Sequence, residues 1–272
     1  MAGYTDHTMK RYVVLNKKVG ETPLSALDAW KAKNTAYKDV SASYAGRLDP
    51  MASGKLLVLL GDECKKQAEY TGLDKEYVIE VLFGVGSDTG DALGIVELGT
   101  PTPVSSSRVR QVIAEEVGKH ERPYPRFSSK TVNGKPLFLH TLSGTIEQVD
   151  IPTHTEEIFR IALQSIKNVS TKTLQKRVEK YLCLVPKTDE PSKRLGEDFR
   201  INDVRASWKR VFSEKPEGVY TIATLRVTCG SGTYMRSLAG RLGEVLNTKA
   251  LALSIKRTRI GTYKKGRWRH SY

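Results

Sequence analysis

Gly46-Arg47-Leu48-Asp49-Pro50-Met51-Ala52-Ser53-Gly54 places a single carboxylate, Asp49, between a glycine hinge and a proline, and runs on through Lys55 into the apolar stretch Leu56-Leu57-Val58-Leu59-Leu60. Proline fixes its own φ and drives the residue before it, here Asp49, toward extended backbone. The glycines at either end permit positive φ or close backbone approach. Asp-Pro is also ordinary turn chemistry, so this segment alone reads equally well as a surface turn or as a carboxylate held stiffly beside a buried strand.

The chain has 272 residues, 39% of them hydrophobic, which is enough for one large domain or two small ones with a genuine core. Forty-four Lys and Arg against 30 Asp and Glu give a formal net charge of +14. An excess of that size points to a polyanionic partner, nucleic acid before an anionic membrane surface. No run approaches the ~20 apolar residues of a membrane span, and the N-terminus lacks the apolar core of a secretory leader. Three cysteines, Cys64, Cys183 and Cys229, form no CxxC pair, which argues against a disulfide framework or zinc site and for a reducing, cytoplasmic setting. The five histidines are scattered without metal-ligand spacing and read as surface or locally bonded residues.

Outward from the Asp49 turn, Arg11 to Asn16 reads as a strand, and Thr22-Pro23 as the start of a helix carrying Leu24, Leu27 and Trp30. Glu76 to Phe83 is strand-like, Ser87 to Gly94 a polar glycine-rich loop after which Ile95-Val96 resumes pairing, and Ser107 to Val117 a helix. Arg122 to Pro136 reads as a basic, aromatic loop. Ile158 to Ile166 reads as a strand, Ser170 to Leu182 as a helix capped by Ser170, and Lys187 to Gly196 as a charged linker. Val219 to Thr228 alternates like a half-buried strand, Thr233 to Leu246 carries a helical apolar stripe, and Ala250 to Ile260 closes as a last strand. The tail beyond it, with Lys264, Lys265, Arg267, Trp268 and Arg269, reads as either a basic arm or a frayed end. Strands and helices mix without regular βαβ alternation. The fold class is therefore α+β, with a mixed, mostly antiparallel sheet flanked by helices.

Four segments, in one order, resemble the pseudouridine synthases of the TruB (tRNA pseudouridine-55 synthase) family. They are the GRLDPMASG turn, Lys75-Glu76-Tyr77 followed by Asp88-Thr89-Gly90-Asp91 and Gly94, Cys229 to Leu238 followed by Leu242-Gly243, and more loosely Leu15-Asn16-Lys17 with Gly20 and Thr22. The chain departs from that family at Lys18, where a proline is usual, at Tyr44, where a histidine is usual, and at Phe127, where a tyrosine is usual. The resemblance implies a pseudouridine-synthase-like catalytic domain over 10–262, an insertion at about 165–215, a basic tail at 263–272, and no separate RNA-binding PUA domain.

The same resemblance implies isomerisation of uridine to pseudouridine, at uridine 55 in the T loop of tRNA, by a monomer that needs neither metal nor small-molecule cofactor. Asp49 would be the catalytic carboxylate, acting covalently or by taking a proton from the sugar. Arg236, one turn into a helix opened by Gly232-Thr233, would pair with Asp49 and hold its charge. Tyr77 would stack on the base and assist removal of the C5 proton. Tyr234 and Ile255 would line the base site, Tyr44 would add a stacking surface, and Arg47, Arg126, Lys130 and Lys135 would meet phosphates. Two other readings are a synthase acting on another structured RNA and a non-catalytic tRNA chaperone. A membrane partner is not expected, since no long amphipathic basic helix stands out.

Overall fold

The computed structural model describes residues 9–100, 102–185 and 200–272. The strands are β1 (Tyr12–Lys17), β2 (Ala42–Tyr44), β3 (Ala52–Leu60), β4 (Asp74–Phe83), β5 (Val85–Ser87), β6 (Val96–Leu98), β7 (Gly118–Pro123), β8 (Thr131–Val132), β9 (Lys135–Pro136), β10 (Thr153–Ser170), β11 (Val219–Cys229), β12 (Ala250–Lys264) and β13 (Arg267–Ser271). The helices are α1 (Pro23–Lys33), α2 (Gln67–Thr71), α3 (Ser106–Glu115), α4 (Leu137–Leu142), α5 (Thr171–Cys183), α6 (Ile201–Glu214) and α7 (Met235–Val245). One sheet of nine strands runs β1-β3-β12-β4-β11-β10-β7, with β2 paired to β3 and β13 to β12. Every pairing in it is antiparallel except β3 with β12. The fold is thus the α+β arrangement with a mixed, mostly antiparallel sheet.

Strand periodicity divides the core between the two faces of this sheet. On β4, Ile79, Val81 and Phe83 face one side, where they pack with Leu225 and Val227 of β11, Leu238 and Leu242 of α7, and Val109 and Val112 of α3. Leu82 faces the other side, packing with Ile222, Leu251, Leu174 and Val178 of α5, and Trp208 of α6. Local signals agree with this packing. Thr22 and Ser25 form a reciprocal capping box at α1, and Ser170 caps α5 by accepting from the Thr173 amide.

Several elements differ from their sequence reading, each for a physical reason. The stretch read as a loop from Arg122 begins within β7 (GKHERP), which has no apolar alternation; β7 is an edge strand, paired on one side only and with no fully buried residue. The same stretch also contains the short β8–β9 hairpin. β10 extends to both sides of Ile158–Ile166, because Thr153 to Glu157 pair with β7 and Lys167 to Ser170, polar but for Val169, pair with Val219 to Ile222. The terminal tail does not fray: β12 runs on to Lys264, turns through Lys265-Gly266, and returns as β13, with Tyr263 opposite Trp268. α7 starts at Met235, so Arg236 lies in its first turn rather than one turn in. Lys187 to Gly196, read as a linker, lies outside the described residues. Among the described residues no helix is long and apolar enough to cross a membrane.

Trp208 is the largest fully buried side chain of the second cluster. It is 1% exposed, stacks on Phe212 at 5.3 Å between centroids, and donates from Nε1 to the Ala92 carbonyl at 3.0 Å. Trp208→Ala is expected to lower unfolding stability by about 3–5 kcal/mol, from the cavity and the orphaned carbonyl together. A urea titration measures it; a loss under about 1 kcal/mol would show that α6 adds little to the core.

Candidate active site

The Asp49 turn is held from below by two buried cations, one on each side of the carboxylate. Lys17, at the end of β1 and 1% exposed, donates to the carbonyls of Lys18 at 2.9 Å, Pro50 at 3.4 Å and Ala52 at 2.6 Å. Arg257 of β12, also 1% exposed, donates to the carbonyls of Lys55 at 2.7 Å, Arg47 at 3.2 Å and Gly46 at 3.3 Å. Burial pulls the Lys17 ammonium down to about 8, opposed by the nearby carboxylates of Glu21 and Asp49. The glycine that ends the motif is required sterically. Gly54 has φ +102°, and a Cβ there would meet the Arg257 carbonyl oxygen at 2.2 Å where β3 crosses β12.

From above, Arg236 fixes the Asp49 side chain. Its Nε donates to Asp49 Oδ2 at 2.6 Å, Nη1 to the Thr89 carbonyl at 2.7 Å and Nη2 to the Phe127 carbonyl at 3.0 Å. The Arg236 side chain is 5% exposed and that of Asp49 is 42% exposed, so the carboxylate is anchored on one side and open on the other. Asp91 Oδ2 stands 3.8 Å from the same Nε. Burial pushes the Asp91 carboxyl up to about 6, while Arg236 opposes that rise and Asp49 adds to it. The α7 N-terminus is itself anchored. Glu156 of β10 accepts from the Tyr234 amide at 3.1 Å, and Arg241 joins Glu156 at 3.1 Å to Glu116 at 2.8 Å.

Asp49 opens onto a cleft of about 580 Å³. Tyr44, Arg47, Asp49, Tyr77, Tyr234, Arg236 and Ile255 all line it, so seven of the sequence candidates come together in one place. Tyr77 lies on the cleft side of β4, and burial raises its phenol above the ordinary value, as it raises Tyr234 to about 12. Both rings therefore meet a ligand as neutral phenols. Arg126, Lys130 and Lys135 do not line the cleft: Arg126 pairs with Glu147, Lys130 sits 5.1 Å from the centre of the Tyr124 ring, and Lys135 donates to Ser143 Oγ at 2.7 Å. Their loop is joined to the cleft through the Arg236–Phe127 bond and through the lining residues Ser128 and Ser129.

Sequence reasoning assigned no role to Lys75 or Arg257, which also line the cleft. Lys75 donates to the Thr71 carbonyl at 2.6 Å, and burial lowers its ammonium to about 8, with the Arg257 charge adding to that. The available signal for Arg257 was strand alternation, which sets it on the same face as Ile255. Among the described residues no group of His, Cys, Asp and Glu is arranged to hold a metal ion.

With this geometry in view, a family model described as TruB family pseudouridylate synthase (N terminal domain) matches residues 34–180. The chain belongs to the TruB family. It is 27% identical over 251 residues to tRNA pseudouridine synthase B of Aromatoleum aromaticum, covering 92% of this chain and 63% of that protein. Against the protein of the same name from Borreliella afzelii it is 27% identical over 254 residues, covering 93% and 70%. The Burkholderia mallei protein is 28% identical over 249 residues, covering 92% and 64%. The chain thus spans a little under two thirds of the length of the first and third of these relatives. Among solved structures, it is similar to one chain of a Cbf5–Nop10–Gar1 complex, with a TM-score of 0.55 and 18% identity over 93% of this chain and 50% of that one. That likeness concerns the fold alone.

The Asp91 carboxyl gives a test of this charge cluster. A carboxyl whose pKa folding raises binds its proton more tightly folded than unfolded. Its contribution is therefore fullest below the ordinary value of 3.8 and is lost as pH rises through about 6. Relative to Asp91→Asn, the wild type is expected to lose stability between about pH 4 and pH 6, by up to about 3 kcal/mol, with no further change above. Parallel urea melts of the two proteins at stepped pH measure this; a difference independent of pH would remove Asp91 from the titrating cluster.

Proposed function

We propose that this TruB-family chain is an RNA pseudouridine synthase acting on uridine 55 in the T loop of tRNA, as a monomer without a cofactor, with Asp49 as its catalytic carboxylate. The observation that carries the reading is the Asp49–Arg236 pair, anchored on one side and open on the other to a cleft that also holds Tyr77 and Tyr234. The curated relatives named tRNA pseudouridine synthase B support tRNA as the substrate class.

The reaction breaks the bond from the ribose to N1 of uracil, turns the base, and joins the same ribose carbon to C5, which gives up its proton. N1 takes up a proton as C5 loses one, so the overall change is an isomerisation with no net transfer of atoms or electrons. Asp49, with Oδ2 engaged by Arg236, would present Oδ1 to the sugar and base, covalently or as a proton acceptor. Arg236 balances its charge and fixes its direction, and the three bonds of the guanidinium leave it one orientation. Tyr77, a neutral phenol, suits stacking and hydrogen bonding to the base better than proton abstraction as a resting phenolate. Removing the target base from its stack costs a few kcal/mol, offset by the rings of Tyr44 and Tyr77 and the apolar wall at Ile255. Arg47 lies exposed on the cleft rim, and the loop bearing Arg126, Lys130 and Lys135 stands beside it, where phosphates of a bound stem-loop would pass.

Incubation with unmodified tRNA transcript, followed by chemical mapping of pseudouridine, tests this. The expected result is product at position 55, with turnover abolished in Asp49→Asn while tRNA affinity stays within a few fold. Arg236→Ala is expected to cut turnover too, with a thermal melt run alongside to separate lost chemistry from lost fold. Turnover by Asp49→Asn at the wild-type level would take the carboxylate out of the mechanism.

A further inference from the structure

The reverse face of the sheet carries a second organised group of side chains. On β4, Tyr77 faces the cleft, while Glu76 and Val78 face the opposite way. The cover that α5 provides on that side reaches Glu80, which Arg177 of α5 engages, and stops there. In the remaining half, the strand register sets Arg160, Thr228, Glu76 and Arg259 in one row across four strands, and Ala162, Arg226, Val78 and Lys256 in the next. With strands about 4.8 Å apart, each row is roughly 14 Å long. Four cations thus share this face with Asp74, which accepts from the Tyr263 amide at 2.7 Å, and, at their centre, with the carboxylate of Glu76.

That carboxylate acts as a fastener. Glu76 is 6% exposed, accepts from Arg226 Nη1 at 3.0 Å and from Thr258 Oγ1 at 2.7 Å, and lies 3.7 Å from Arg259 Nε. Arg259 lies 5.9 Å from the centre of the Trp268 ring, which β13 brings beside it and against which Tyr263 packs at 5.3 Å. Arg160 and Lys256 are exposed and have no ion-pair partner among the described residues. Two guanidinium groups tethered by Glu76, flanked by two unpaired cations and a partly exposed indole, form a surface on which phosphates can bind and a base can stack. An acidic protein surface would satisfy the charges but leave the indole without a use.

We propose that this face is a second RNA-contact surface, taking a single-stranded or loop segment by phosphate contacts to Arg160, Arg226, Lys256 and Arg259 and by base stacking on Trp268. The proposal rests on the reading of the opposite cleft as an RNA site and extends it to the other side of the sheet. Recognition here follows backbone charge and stacking rather than base edges, so it is tolerant of sequence and sensitive to salt.

The test uses the full chain and an unmodified tRNA transcript. Arg160→Gln/Lys256→Gln removes the two unpaired charges and leaves the Glu76 cluster intact. Its affinity is expected to fall about tenfold, and the slope of log affinity against log salt to flatten by about 1.4, which is 0.7 for each lost single-strand contact. Its single-turnover rate at saturating RNA is expected to match wild type. Lysine acetylation of the wild-type protein gives a second measurement independent of any variant: RNA is expected to shield Lys256 at least twofold. Unchanged affinity and slope, or a Lys256 equally reactive with and without RNA, would overturn the proposal. These results are separable from a failure of the functional reading. Pseudouridine formed with no effect on the reverse face rejects the second surface alone, whereas a shielded Lys256 without product rejects the reaction alone.

Discussion

One buried guanidinium joins three separate parts of this chain. Arg236 binds the side chain of Asp49 in the turn before β3, the carbonyl of Thr89 in the loop after β5, and the carbonyl of Phe127 in the loop after β7. Lys17 and Arg257 also hold the Asp49 turn, and the Asp91–Ala252 bridge ties the loop after β5 to β12, but Arg236 is the group that touches all three segments. The cation is itself costly to bury, and its position depends on α7 starting where it does. The start of α7 is fixed by the apolar stripe of Leu238 and Leu242 against the sheet, and by Glu156, which supplies the carboxylate that Tyr234, a poor N-cap residue, cannot.

The turn that presents Asp49 shows an uncommon use of charge. Lys17 and Arg257 are fully buried, yet the hydrogen bonds they make here run to backbone carbonyls, not carboxylates. Carbonyl dipoles hold the cations without neutralising them. The positive charge below the turn therefore remains, shared between the nearby carboxylates of Asp49 and Glu21, whereas a directly bonded carboxylate would have cancelled more of it.

What could be read from the chain beforehand follows the physics of burial. Strands with a face in the core, β3, β4 and β11, announce themselves by apolar runs or alternation, α7 by its apolar stripe, and α5 by its Ser170 cap. β7 and β13 gave no such signal, because an edge strand and a surface hairpin bury little and are held by backbone pairing that side chains do not encode. The candidate site shows the same division. Asp49, Tyr77, Tyr234 and Arg236 were recognisable because they sit in ordered motifs, and the structure gathers them in one cleft. Arg257 was not, since a lone arginine within KRTR looks like any solvated cation until β3 is seen to cross it at Gly54. Arg126, Lys130 and Lys135 were legible as a basic cluster, but their separation from the cleft wall depends on partners such as Glu147 and Ser143 that only the folded loop brings near.

The parallel pairing of β12 with β3 sets an order of assembly. β12 is inserted between β3 and β4, two strands made some two hundred residues earlier, and its Arg257 supplies the bonds to Gly46 and Arg47 on one side of the Asp49 turn. During synthesis, β3 waits with one edge unsatisfied until the chain has been made through β12, and β4 with both edges unsatisfied until β11 and then β12 are made. Contacts this distant in sequence close slowly and leave apolar strand edges exposed in the interval. The nascent chain is therefore without a finished Asp49 turn until almost its last described strand, and the geometry of that turn depends on a distant strand rather than being a local property of the motif that encodes it.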